Sequence, residues 1–167
     1  MDSALQELQD AISSATSGMS ADDLTRHPEG KWCAAQVLEH LSLTYSGTLK
    51  GLERCLQEGK PLARVPTLMD RVRATVVTRL GYFPSGRKAP ERTVPQGVPA
   101  AQVVQAIGPQ IAAMDEAFAH CEKRFGKRTL LMDHPVLGPL TVKQWRKFHW
   151  VHGRHHVKQI WRLRGRA

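Results

Sequence analysis

Apolar residues recur at intervals of three or four positions along most of the chain, and this spacing predicts helices. A short leading helix is predicted within residues 2–16, and four longer ones are predicted over residues 34–57, 67–80, 100–124 and 141–162. Ser20 is typical of a helix cap and predicts a further helical turn. No segment alternates strongly enough to predict a sheet. The pattern therefore predicts an all-α fold, a four-helix bundle with a short extra N-terminal helix or turn.

Proline and glycine mark the breaks between these segments. Residues 26–32 and 133–140 are predicted to be turns, and residues 81–99, which hold four prolines, should be an irregular connection. Connections of that length are often lids, arms or disordered segments. Pro109 predicts a kink or a break in the helix around it. The whole chain, residues 1–167, is expected to form a single domain.

Composition narrows the class of protein. Hydrophobic residues make up 41% of the chain, enough for a core, yet no apolar run approaches the roughly 20 residues that cross a bilayer. The first residues lack the features of a signal peptide, so a cytoplasmic location is expected. Cys33, Cys55 and Cys121 lack paired metal-type spacing and are interpreted as reduced thiols.

The net charge of +9 raises the question of nucleic-acid binding. Most of the lysines and arginines are scattered from Lys50 to Arg166, and no RNA-binding aromatic motif or Cys/His finger accompanies them. A solvated basic surface with some attraction for anionic ligands is the preferred interpretation. Salt-dependent nucleic-acid binding stays open as a less favoured alternative.

The last predicted helix carries the candidate chemistry. At about 100° per residue, four basic residues fall together on one side of the helix: Lys143, Lys147, Arg154 and Lys158. The opposite side carries Trp145, Phe148, His149, His152, His156, Ile160 and Leu163. The histidines therefore share the face of the core residues, although solvated histidines would fit equally well on the basic face.

His152 and His156 are four positions apart, so their side chains are neighbours on one face of a helix. Two imidazoles at that spacing can bind one metal ion, although a pair alone makes a weak site. Gly153 stands where a metalloprotease H-E-x-x-H motif has glutamate, which excludes that motif. His40 is the best candidate for a third ligand. The alternative is three buried histidines that only satisfy hydrogen bonds.

His40 shares its helix column with Thr44, Gly47 and Gly51. Glycine inside a helix costs about 1 kcal/mol relative to alanine, so two of them in one column need an explanation. Small side chains there can leave a pocket beside the metal, with Thr44 and Gly47 among its lining. Close packing of helices explains the glycines equally well.

Other residues near these histidines receive supporting roles. His149 is a candidate to line the pocket or carry a proton, and Gln159 to orient a metal ligand. His155 is expected to lie outside the site and Glu39 on the solvent side of its helix. The cysteines have no neighbouring motif that indicates a nucleophile.

Several segments in a fixed order resemble the DinB/YfiT-like superfamily of metalloenzymes. They are residues 31–32 (KW), 37–41 (VLEHL), 150–156 (WVHGRHH) and 159–160 (QI). Residues 134–141 (HPVLGPLT) and 144–145 (QW) are similar to one uncharacterised branch of it. Each segment is loose by itself, and the resemblance depends on their order and spacing over essentially the whole chain.

The resemblance implies a four-helix bundle in which His40, His152 and His156 bind nickel, zinc, iron or manganese. It also implies a homodimer and, as in some relatives, a low-molecular-weight thiol such as mycothiol or bacillithiol. The resulting hypothesis is a divalent-metal-dependent enzyme, a thiol-dependent transferase or a hydrolase. Its metal would activate a small thiol or water against a small-molecule substrate. The alternative is a non-enzymatic, dimeric metal-binding or ligand-binding bundle.

Overall fold

The structure, a computed structural model, describes residues 1–27, 29–82 and 88–165. It is mostly helical, and its helices are α1 (Ser3–Thr16), α2 (Ala21–Thr25), α3 (Ala34–Glu58), α4 (Leu68–Thr78), α5 (Ala100–Phe125) and α6 (Val142–Arg164). The predicted bounds agree to within a few residues. Pro109 does not interrupt α5, which continues through it.

A small antiparallel sheet corrects the expectation of a purely helical chain. Strand β1 (Leu130–His134) pairs with β2 (Gly138–Thr141), and the register shifts between Leu130 and Met132. The sequence did not predict this hairpin because its strands are short and interrupted by polar residues and proline, which obscure alternation. The predicted turn at residues 133–140 therefore contains the end of one strand, a tight connection and most of the next.

Helix α6 begins where the sequence places its cap. The backbone amide of Gln144 donates to the Thr141 hydroxyl over 3.3 Å, and the Gln144 side-chain oxygen accepts from the Thr141 amide over 3.0 Å. This reciprocal capping box satisfies two amides at the helix terminus. Because Thr141 also ends β2, the hairpin sets the starting point of the helix that carries His152 and His156.

The core lies between α3, α5, α6 and α1. Helix α3 packs mainly on α5, and α1 lies along α6. The fully enclosed side chains include Tyr45, Phe118, Leu5, Leu8, Ile12, Leu38, Leu41, Leu52, Ile111 and Met114. All three cysteines are buried and unbridged. None of the helices in the described ranges combines the length and apolar character that a membrane crossing requires.

Helix α4 does not bury its most regular apolar positions. Leu68, Val72, Val76 and Leu80 recur at helical spacing, yet Leu68 and Leu80 are 80% and 74% exposed. The buried face instead carries Asp70, Ala74 and Val77.

Asp70 explains this orientation. Its carboxylate accepts hydrogen bonds from both terminal guanidinium nitrogens of Arg64, at 2.7 and 3.0 Å, and from the amide and hydroxyl of Thr67. It also packs against Gly138, whose φ of +73° and lack of a side chain permit the contact. A buried carboxylate with several donors fixes the face of α4 that meets the hairpin, and the apolar stripe is left outside.

Gly153 allows α6 to approach α1 closely. A Cβ atom at this position would lie 2.4 Å from Cδ1 of Leu8, a side chain with no exposed surface. We expect Gly153→Ala to lower the free energy of unfolding by about 1–3 kcal/mol, because an extra methyl in a packed core forces neighbours to shift. Urea denaturation of the wild-type and variant proteins measures the change.

Gly47→Ala is the matched control, since a Cβ at Gly47 meets no atom within 4 Å. Because alanine favours helix more than glycine, this change should raise the free energy of unfolding, by up to about 1 kcal/mol. Equal effects at the two positions would contradict the close α1–α6 contact. Adding Leu8→Ala to Gly153→Ala should cost less than the two single changes together.

Candidate metal centre

The structure brings the rings of His40, His152 and His156 together, although 112 positions separate His40 from His152. The Nε2 atom of His152 lies 3.2 Å from Nε2 of His40 and 3.0 Å from Nε2 of His156. All three side chains are buried, and their facing nitrogens lie within 4.8 Å of one another. One helix supplies the first histidine and another supplies the pair.

In two of these histidines the other ring nitrogen, Nδ1, makes a hydrogen bond to a neighbouring oxygen. Nδ1 of His40 donates to the backbone carbonyl of Thr93 over 2.8 Å, and Nδ1 of His156 donates to the side-chain oxygen of Gln159 over 2.7 Å. Because a carbonyl oxygen only accepts, His40 must carry its proton on Nδ1. The Nε2 lone pairs of neutral His40 and His156 therefore point toward His152, in the tautomer that metal-binding histidines adopt.

The three facing nitrogens can share few protons among themselves. His152 Nε2 carries at most one proton, which it can give to His40 or to His156 but not to both. At most one of the two contacts, 3.2 Å to His40 and 3.0 Å to His156, is therefore a hydrogen bond between imidazoles. A cation placed among the three nitrogens would satisfy all of them at once.

The spacing also suits a metal ion. Two nitrogens 3.0–3.2 Å apart, each roughly 2.0–2.1 Å from one ion, subtend an angle of ~90–105° at that ion. Such angles lie between octahedral and tetrahedral values. The groove described below reaches all three histidines, so ligand positions that they do not fill would be open to it.

Burial keeps these imidazoles neutral. It lowers the pKa of His156 to about 3 and that of His40 to a lesser degree, with the Thr93 carbonyl opposing the shift in His40. The pKa of His152 is also held well below its usual value, by burial first and then by its neighbours His156 and His40. A neutral imidazole is the form that binds a metal.

Glu39 corrects a prediction and explains how Thr93 is positioned. Expected on the solvent side, Glu39 is only 3% exposed. Its carboxylate accepts from the backbone amides of Gln96, Gly97 and Val98 at 2.7, 3.1 and 3.2 Å. The described end of the Pro-rich connection, with a single 3₁₀ turn over Glu91–Thr93, is thus fastened to α3 beside His40. Residues 83–87 of that connection lie outside the described residues.

An open groove lies next to the three histidines. Thr44 and Gly47 line it, as the sequence analysis expected of a pocket. Glycine stands at positions 47 and 51 of α3 for different structural reasons. Gly47 faces open space, whereas a Cβ at Gly51 would lie 2.5 Å from Sδ of Met132, so close packing explains Gly51. Room for a pocket thus explains Gly47, and close packing explains Gly51.

His149 lies in the core and is not among the groove-lining residues. It has no exposed surface, and its ring contacts the rings of Tyr45, Trp145 and Phe148. Neither ring nitrogen has a hydrogen-bond partner among the described residues. His155 is half-buried at the groove beside His156.

The roles of three residues around the histidine cluster could not be predicted from the sequence. The Thr93 backbone carbonyl carries no sequence signal, because every residue has one. The anchoring role of Glu39 depends on where a distant irregular segment runs. Trp32, which entered only through the family resemblance, places its ring 5.3 Å from that of His40.

The fold and the site define a mostly helical protein with a buried cluster of three histidines that can bind a metal ion. A family model described as a protein of unknown function, DUF1569, matches residues 1–162, and the chain belongs to that family. Searches of curated proteins and of solved structures gave no match.

Proposed function

We propose that the protein is a divalent-metal-dependent enzyme whose ligands are His40, His152 and His156. The observation that carries the proposal is the convergence of three buried imidazoles, whose ring nitrogens lie within 4.8 Å of one another. Nickel, zinc, iron and manganese all accept imidazole ligands. We propose further that the helices form a bundle of the DinB/YfiT-like type, in which α1, predicted as an extra helix, takes the place expected for α4 because it lies along α6.

A divalent ion held there would act as a Lewis acid toward a small thiol or water. The residues of the chain would prepare the site for it. Thr93 and Gln159 orient two of the imidazoles, and Trp32 and Phe148 cover ring faces of His40 and His152. The groove lined by Thr44 and Gly47 admits the electrophilic substrate. The proposed activity is a thiol-dependent transfer or a hydrolysis, performed by a cytoplasmic homodimer.

The test uses protein loaded with each metal in turn. A chromogenic ester reports hydrolysis, and a chloronitrobenzene with cysteine reports thiol transfer. At least one activity should require metal, disappear with a chelator and return when the metal is restored. Metal binding without turnover of either substrate class would favour the second candidate, a non-enzymatic dimeric binding module. The open groove beside the histidines favours the enzyme, since a purely structural metal site is usually closed.

Gln159 provides a graded test of the site. We expect Gln159→Ala to weaken metal binding by roughly 10–100-fold, because it removes the acceptor that orients His156. Gln159→Glu keeps an acceptor at the same length and should retain wild-type affinity or exceed it. Competition titration against a chromogenic chelator measures both. Equal weakening by the two variants would contradict a role in orienting the ligand.

A further inference from the structure

The walls of the groove beside the three histidines carry a strong excess of positive charge. Six basic residues line it without a carboxylate within 4.0 Å among the described residues: Lys31, Lys50, Arg73, Lys88, Arg92 and Arg162. The acidic residue in the described lining is Asp133, and Arg64 already pairs with it at 3.5 Å. Cations gathered around a concave site attract anions and raise their local concentration.

Most ion pairs lie elsewhere on the protein. Arg146 binds Asp115 over 2.7 Å, and Arg154 lies 2.6 Å from a carboxylate oxygen of Glu7. In the described lining of the groove, Arg54 is the basic residue with a carboxylate partner in range, Glu58 at 2.7 Å. Six further cations in one concave site that holds a single carboxylate suit a ligand carrying negative charge.

The same groove has an apolar wall. Val72, Val76 and Tyr82 line it, and Val72 and Tyr82 are 48% and 60% exposed. Val72 and Val76 lie on α4 outside its buried face, and Tyr82 follows the end of that helix. Leu62 and Val136 continue the apolar lining from the neighbouring connection and hairpin. Contiguous exposed apolar surface of this kind commonly marks a binding site.

The groove is also long. It follows α3 from His40 past Thr44 and Gly47 to Arg54, and 14 residues of helix span about 21 Å. A ligand that reached the histidines at one end would extend well beyond them. On α4, Arg73 lies directly after Val72, so one helix offers both an apolar contact and a cation.

We infer that the groove binds an amphipathic anion, a small molecule with an apolar body and a carboxylate or phosphate group held by the basic wall residues. The inference rests on the proposed function in one respect, since it treats this groove as the place of the substrate. It does not require the metal, because the basic side chains and the apolar wall belong to the protein itself.

The test is calorimetric titration of the metal-free full chain with dodecanoate below its micelle concentration. Arg73→Glu should weaken dodecanoate binding about tenfold or more at low salt, because it places a like charge beside the ligand. Arg71→Glu is the matched control. It makes the same change at an exposed position of the same helix, outside the groove lining, and should leave affinity within about twofold. Dodecyltrimethylammonium should bind Arg73→Glu better than wild type.

Equal loss of dodecanoate binding in the two variants would overturn the inference, as would binding that needs the metal. Binding to phosphatidylglycerol vesicles without binding of monomeric dodecanoate would also overturn it and would indicate a membrane surface instead. Because this titration uses metal-free protein, failure of the metal site shows in metal content, and failure of this inference shows in the Arg73 titration.

Discussion

We expect His152→Ala to retain less than about one tenth of the metal bound by the wild-type protein. His152 is the middle ligand of the proposed site, because its Nε2 lies within 3.2 Å of the corresponding atoms of both His40 and His156. Its removal leaves two imidazoles on different helices, and such a pair binds metal weakly. Elemental analysis after loading and gel filtration measures the bound metal, and any metal-dependent turnover should be lost with it.

His120→Ala is the matched control, since His120 is an exposed histidine on α5 away from the cluster. It should bind as much metal as the wild type. Because removing a buried ring can disturb packing, His152→Gln, which is closer in size, should be compared by circular dichroism and metal content. Unchanged metal in folded His152→Ala and His152→Gln proteins would refute the assignment of His152.

His149→Phe should make the metal-free protein more stable and less sensitive to acid. Both nitrogens of His149 are buried without a hydrogen-bond partner among the described residues, and each unsatisfied polar atom costs about 1–3 kcal/mol. Phenylalanine keeps an aromatic ring among Tyr45, Trp145 and Phe148 without buried nitrogens. We therefore expect an increase of about 1–3 kcal/mol in the free energy of unfolding at pH 7.

The free energy of unfolding should decrease as the pH falls, because of His149. Burial lowers the pKa of His149 to about 3 in the folded protein, below the usual value of 6.5. At a pH between these two pKa values, His149 binds a proton in the unfolded chain but not in the folded one. Stability therefore falls as the pH decreases, by at most about 1.4 kcal/mol per pH unit for this residue.

Urea unfolding of metal-free protein between pH 7 and pH 4.5 measures this slope. The slope for His149→Phe should be shallower than for the wild type by about one proton. His120→Phe, an exposed change of the same type, should leave the wild-type slope. Parallel pH profiles for His149→Phe and the wild type would mean that His149 is not held neutral by burial.

The helices could be predicted from sequence because their signals are local. The capping side chain of Thr141, the prolines and glycines between the helices, and the spacing of apolar residues each act within a few positions. The buried face of α4 could not be predicted in this way. Asp70 determines it through contacts with Arg64 and Gly138, and those contacts depend on the fold. The hairpin was missed for a different reason, since two strands of five and four residues carry too little alternation.

Part of the candidate site could likewise be predicted from local sequence signals, and part depended on the fold. The i, i+4 spacing of His152 and His156 follows from helix geometry alone, and the placement of both histidines among core residues made them conspicuous. Their meeting with His40 depended on how α3 and α6 pack, and was expected through the column of small residues and the family resemblance. Glu39 was misplaced because helix periodicity treats the protein surface as solvent, whereas the Pro-rich connection covers that part of α3.

The central claim is that three imidazoles bind one metal ion. X-ray absorption spectroscopy of protein purified without an affinity tag, together with elemental analysis, tests it most directly. The account predicts about one first-row metal ion per chain, with histidine scattering from three nitrogens at roughly 2.0–2.1 Å in a zinc-loaded sample. An ion bound through carboxylates or thiolates, or no bound metal after loading with zinc, nickel, iron and manganese, would contradict it.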